Sequence, residues 1–195
     1  MSHSQATVFN LDHTPLKQNS ELTELADDLL QFSQINSQAT FNTYCKAVCS
    51  LWQKHFPNSR GSTSQLFSDL KQRIAAGPIE NEVIPTPWGG VVITAYQLTQ
   101  IEKWLVINAG GYLALETHSL KKEYLEVKEG AGILLSRDQS GKPLLVSELT
   151  PGSTFNFEPG MEHCIIGAED LLVFERSTEP KGMDQDLIFI YTPDA

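Results

Sequence analysis

Two patterns of apolar spacing divide the chain. In "SELTELADDLLQFSQ", Leu22, Leu25, Ala26, Leu29 and Leu30 recur at helical spacing, with Ser20 in the N-cap position and acids in the first turn. "SQATFNTYCKAVCSLWQKHF" repeats the pattern through Phe41, Tyr44, Ala47, Val48, Leu51, Trp52 and Phe56. "STSQLFSDLKQRIAAGP" predicts a third helix, stopped by Gly77-Pro78. Each helix carries one apolar stripe, so each must pack on something else. The segment up to about Pro15 is polar, has no period and reads as an arm.

After Pro78 the period changes. Short runs rich in Val, Ile, Leu, Phe and Tyr follow one another, broken by Gly, Pro, Asp and Asn: "GVVITAYQL", "KWLVI", "YLALET", "EYLEVKE", "GILLSR", "PLLVSEL", "STFNFE", "HCIIG", "LLVFER" and "DLIFIYT". Ten short strands with turn chemistry between them predict a mainly β sandwich or barrel. The chain therefore divides into a helical N-terminal extension, residues 1–80, and a β-barrel, residues 81–195.

Composition narrows the function. Twenty-four acidic residues stand against 14 basic ones, a formal net charge of −10. Nucleic acid is not an expected partner, because phosphate-backbone binding is driven by clustered Lys and Arg. No stretch approaches the roughly 18 to 20 apolar residues of a membrane span. The start has no basic region followed by an apolar run, so a cytoplasmic location is expected. Cys45, Cys49 and Cys164 make no disulfide framework and read as small core residues.

Candidate chemistry concentrates in "GGYLALETHSLKKEYLEVKEG". Its spacing is G-x5-E-x-H-x4-E-x6-G, with Gly110, Glu116, His118, Glu123 and Gly130. On a strand, residues two apart share a face, so Glu116 and His118 project together. The turn at "SLKK" is expected to reverse the chain into a hairpin and return Glu123 beside them. Further on, "GSTFNFEPGMEHCIIG" reads G-x5-E-P-G-x2-H-x3-G, with Gly152, Glu158, Pro159, Gly160, His163 and Gly167.

The two spacings resemble the paired motifs of the cupin superfamily, G-x5-H-x-H-x4-E-x6-G and G-x5-P-x-G-x2-H-x3-N. The departures are Glu116 for the first histidine, Glu158 where proline usually stands, and Gly167 for asparagine. Within that superfamily, residues 86–190 resemble the small C-terminal barrel of bacterial mannose-6-phosphate isomerases. Trp88 and Gly89 of "PWGG", Lys103, Leu113, Leu115, His118 and Glu123 match that family's pattern, and Glu116 stands where it has glutamine. The tail "MDQDLIFI" is similar to its acidic segment. Lys121, Tyr124 and Leu125 replace its arginine, second histidine and tryptophan, and lysine lacks the bidentate grip of arginine.

The resemblance implies a cupin jelly-roll barrel and one divalent metal ion (Zn, Mn, Fe or Ni) held by Glu116, His118, Glu123 and His163. It also implies a small-molecule ligand, a carbohydrate by the nearest resemblance, and leaves a homodimer open. The implied activity is metal-dependent aldose–ketose isomerisation of a sugar or sugar phosphate, with Glu116 or Lys103 as the proton-transferring base. A non-catalytic sugar-binding or regulatory module and an iron-dependent oxygenase are the alternatives. Glu116 is open between ligand and base. His3, His13 and His55 have no partner spacing and read as surface or helix residues. Lys121 and Lys122 read as a solvated turn. Lys103, Arg137 and Arg176 are candidate phosphate contacts against a background of ordinary surface charge. Trp88 and Trp104 read as core.

Overall fold

The computed structural model describes residues 10–35, 40–59, 61–97, 99–138 and 141–193; His3 lies outside them. All ten strands expected after Pro78 are present. Two more, β1 (Leu11–Asp12) and β2 (Val83–Thr86), complete two six-stranded sheets. The others are β3 (Gly89–Gln97), β4 (Gln100–Ile107), β5 (Leu115–His118), β6 (Lys122–Glu129), β7 (Gly132–Arg137) and β8 (Leu144–Leu149). They continue with β9 (Thr154–Phe157), β10 (Glu162–Gly167), β11 (Leu171–Thr178) and β12 (Leu187–Tyr191). One sheet runs β1-β8-β7-β10-β5-β12 and the other β2-β3-β4-β11-β6-β9, a jelly-roll arrangement. Every pairing is antiparallel except β1 with β8.

The strand at Leu11–Asp12 corrects the reading of everything before Pro15 as an arm: two residues suffice to extend the first sheet along β8. Among the described residues the helical region holds four α-helices, one more than the three expected: α1 (Thr14–Lys17), α2 (Thr23–Ile35), α3 (Phe41–His55) and α4 (Gln65–Ala75). Ser20 opens a short 3-10 turn that Asn19 caps, and α2 begins only at Thr23. The Ser64 hydroxyl accepts the Phe67 N–H to start α4. No helix among the described residues is long and apolar enough to cross a membrane.

Three apolar clusters follow from period-two alternation in the strands. Leu105, Ile107, Leu125, Val127, Ile165 and Val173 fill the space between the sheets. Leu115, Ile133, Leu135, Val146, Cys164 and Ile166 face the other way, under α1, α2 and α3. On the second sheet, Val92, Val106 and Leu172 pack against Phe67 and Leu70 of α4. The stripes of the helices are thus buried on the outer faces of the sheets. His13 corrects its surface reading as well: it is buried, with Nε2 2.8 Å from the Tyr44 hydroxyl of α3.

Two motif glycines answer to backbone geometry. Gly130 has φ 80°, and a β-carbon there would lie 2.0 Å from the Asp170 carbonyl oxygen. Gly160 has φ 88°, and its N–H donates to the His118 carbonyl at 2.8 Å, which fastens the turn before β10 to the end of β5.

Candidate metal centre and cavity

Along the inward positions of four strands, apolar side chains give way to charged or titratable ones at one end of the barrel. On β4 the series is Ile107, Leu105, Lys103; on β6, Val127, Leu125, Glu123; on β11, Leu171, Val173, Glu175; on β10, Ile165, His163. Register aligns them sideways: Lys103 lies opposite Glu175, and His163 opposite Glu116.

The expected hairpin does not form. Strands β5 and β6 belong to different sheets, so "SLKK" carries the chain across the barrel and Glu123 meets His118 from the opposite wall. The meeting itself occurs. Donor atoms of Glu116, His118 and His163 lie within 4.8 Å of one another. Glu123 Oε2 is 3.7 Å from His118 Nε2 and 3.1 Å from His163 Nε2. Glu116 Oε1 is 3.9 Å from each imidazole Nε2.

These residues fit a divalent cation. His118 Nε2 and Glu123 Oε2 are buried with no hydrogen-bond partner, an arrangement that costs free energy unless something else occupies the lone pairs. Donors at about 2.0–2.2 Å from a shared metal lie about 3.0–3.5 Å apart, close to the separations seen. His118 Nδ1 is hydrogen-bonded to Asp186 Oδ1 at 3.3 Å, and Asp186 Oδ2 accepts the Lys121 backbone N–H at 3.0 Å. A ring that donates from Nδ1 keeps Nε2 as a free lone pair, the tautomer a metal needs. His163 stacks on Phe157, ring centroids 4.2 Å apart, which holds its orientation.

The electrostatics divide the two carboxylates. Burial disfavours the Glu123 anion, but His163 and Lys121 outweigh it and hold its carboxyl well below the ordinary range. Burial, helped by the Glu123 charge, pushes Glu116 up to about 7. A bound divalent cation would favour the ionised form of both. Burial lowers His118, whereas Glu123 raises His163 against the effect of burial.

Beside this group lies a buried charge network. Lys121 Nζ is 2.8 Å from Glu123 Oε1, 2.8 Å from Asp184 Oδ1 and 3.0 Å from Glu175 Oε1. Lys103 Nζ is 3.1 Å from Glu175 and 3.2 Å from Asp184. Both lysines are buried, at 2% and 3% exposure, so the reading of Lys121 as a solvated turn is corrected. Burial alone would lower the Lys103 ammonium, yet Glu175 and Asp184 raise it. It is a locked cation, which argues against Lys103 as the proton-transferring base. Lys122 is exposed and pairs with Glu158 at 2.7 Å. Arg137 is paired with Glu162 and Arg176 with Glu102, and neither lines the cavity, so their reading as phosphate contacts is not supported.

A cavity of about 580 Å³ opens onto the site. Glu116, Glu123, His163, Lys103, Lys121 and Glu175 form its polar side; Ile84, Trp88, Val91, Leu113 and Phe189 are among its apolar walls. Trp88 is thus a cavity residue as well as a packing one. Trp104 lies outside the barrel against α4. Cys164 points away from the site into the cluster under the helices. Asp184, Asp186 and Glu175 did not stand out as site residues in the sequence. The signals were present: Glu175 shares the inward parity of Leu171 and Val173, and the two aspartates lie in the acidic "MDQDLIFI" segment.

No protein-family model matches the chain, and no curated protein matches it. Solved structures do. Oxalate decarboxylase of Lactobacillus farciminis, as a formate complex, matches with a TM-score of 0.50 at 15% identity, over 57% of this chain and 34% of that one. Oxalate decarboxylase of Bacillus subtilis at pH 4.6 matches with 0.50 at 13% identity, over 57% and 30%. The fold is that of the cupins. This chain spans about a third of the length of those two decarboxylases. KdgF from Halomonas sp. is similar over 51% of this chain and 88% of its own, at 19% identity and a TM-score of 0.44. In the cupin barrel described here, the His/Glu group sits between the sheets and is of a composition that could hold a metal.

Proposed function

We propose that this chain is a metal-dependent cupin enzyme that moves a proton between neighbouring carbons of a small hydroxycarbonyl compound, as aldose–ketose isomerases do. The observation that carries the reading is the convergence of Glu116, Glu123 and His163 on one side of the cavity with His118 against them, with buried donor atoms unpartnered. His118, His163 and Glu123 would hold the cation, with Glu116 adjoining it. Bound there, a divalent ion supplies Lewis acidity, polarising a carbonyl and easing loss of the proton on the next carbon.

Glu116 is the group suited to carry that proton. Glu123 is tied to Lys121, whereas the Glu116 carboxylate makes no hydrogen bond among the described residues and faces the cavity. Glu116 would take the proton from the hydroxyl-bearing carbon and return it to the former carbonyl carbon. The hydroxyl proton passes to the former carbonyl oxygen, so no atom is gained or lost. The apolar walls limit water at the reacting carbons. Sugar phosphates are the least supported substrates, because both cavity lysines already serve protein carboxylates.

The test has two parts. Elemental analysis should find about one metal per chain, and a His118→Ala/His163→Ala double variant should lose it. Solvent deuterium should enter the carbon next to the carbonyl of an aldose, hydroxyketone or aldose phosphate. Glu116→Gln should keep the metal and slow exchange by about 10²-fold or more. Metal without exchange on any compound would replace the isomerase reading with that of a binding module.

A further inference from the structure

The charges around the cavity select the kind of ligand it admits. Four carboxylates, Glu116, Glu123, Glu175 and Asp184, and two ammonium groups, Lys103 and Lys121, line it. An ammonium has three N–H donors. Lys121 Nζ donates one to Asp184 at 2.8 Å and lies 2.8 Å from Glu123 and 3.0 Å from Glu175, so its charge is surrounded by three carboxylates. Lys103 lies 3.1 Å from Glu175 and 3.2 Å from Asp184 and is itself almost fully buried. Neither lysine has a charge to spare for an anion. On the lining the carboxylates outnumber the lysines by two, and the buried Glu179 beside Lys121 and Asp186 beside His118 add to the negative side, so a divalent cation at the histidines leaves no positive charge in excess. An anionic ligand would therefore leave a surplus negative charge in a poorly solvated site, which is costly.

The remaining walls are apolar. Val91, Leu105, Leu113 and Ile165 line the cavity from the barrel interior. At the solvent side, Ile84 and Phe189 are 37% and 57% exposed, and Trp88 stands with them on the lining. Large apolar side chains kept in water beside a cavity provide binding surface for an apolar ligand.

Building on the metal-site reading above, we infer that the ligand is an uncharged hydroxycarbonyl compound with an apolar or aryl substituent, and not a phosphorylated or carboxylated sugar. Its adjacent oxygens are turned to the histidine end, and its substituent lies against Trp88 and Phe189.

The experiment uses the full-length, metal-loaded protein and reads binding by calorimetry and tryptophan fluorescence, independently of turnover. The probes are 2-hydroxy-1-phenylethanone, mannose, mannose 6-phosphate and oxalate. The aryl hydroxyketone should bind at least tenfold more tightly than any of the other three. Phe189→Ser should weaken it several-fold at unchanged metal content, and Trp88→Phe should remove most of the fluorescence response. Equal or tighter binding of mannose 6-phosphate or oxalate overturns the inference, as does failure of the hydroxyketone to bind. Tight binding of the hydroxyketone without deuterium exchange supports the inference while rejecting the isomerase reading, so the two fail separately.

Discussion

At the scale of single residues, the informative side chains are titratable ones in dry surroundings. His118 and Asp186 show how a ligand is prepared: the carboxylate accepts the Nδ1–H hydrogen bond, which leaves the Nε2 lone pair facing Glu123. His13 shows the opposite use of an imidazole. It is buried against Tyr44, and burial, reinforced by the Lys17 charge, lowers its pKa to about 4. The unfolded chain, with an ordinary value of about 6.5, takes up this proton first as pH falls. Stability from His13 is therefore complete above about pH 6.5 and is lost as pH drops towards 4, by on the order of 2 kcal/mol. Urea unfolding of wild type and His13→Asn at pH 7.5 and 4.5 checks this. The loss on acidification should be smaller in the variant; an equal loss would show that His13 does not contribute.

At the scale of elements, the helices serve as the outer wall of the barrel. Leu25, Leu29, Tyr44 and Val48 share one cluster with Leu115, Ile133, Val146 and Cys164 of the first sheet. That sheet buries apolar residues on both faces, and β5 and β10, which carry Glu116, His118 and His163 at the polar end of its inner face, lie in it. We propose on this basis that residues 1–80 and 81–195 melt as one unit. Leu29→Ala, at a fully buried position, should cost about 2–5 kcal/mol. Metal release and loss of β-sheet signal should then shift together in a thermal scan. A metal site that survives the melting of the helices would show that the cover is dispensable.

For the molecule as a whole, the charge network ties β4, β6 and β11 to the segment before β12. Lys103, Lys121, Glu175 and Asp184 come from four separate stretches of chain, and each ion pair bridges two of them. Removing one partner from a buried pair leaves the other uncompensated. Lys103→Met should destabilise by about 3–5 kcal/mol. The double variant Lys103→Met/Glu175→Gln should recover part of this loss in chemical denaturation. No recovery would assign the cost to packing instead of charge.

Period and turn chemistry in the sequence by themselves determined the strands after Pro78, the helices before it, and the parity that aims Glu116, His118, Glu123 and His163. These are local matters, governed by side-chain alternation and by backbone conformations such as that of Gly160. Tertiary structure alone decided which strands became neighbours. A short turn between strands can close a hairpin or cross between sheets, and only the pairing of β5 with β10 and β6 with β11 settled that the chain crosses at "SLKK". The state of Lys103 and Lys121 was equally illegible in advance. A lysine in a strand or turn is solvated unless distant carboxylates offset its burial, and Glu175 and Asp184 lie more than fifty residues along the chain from either.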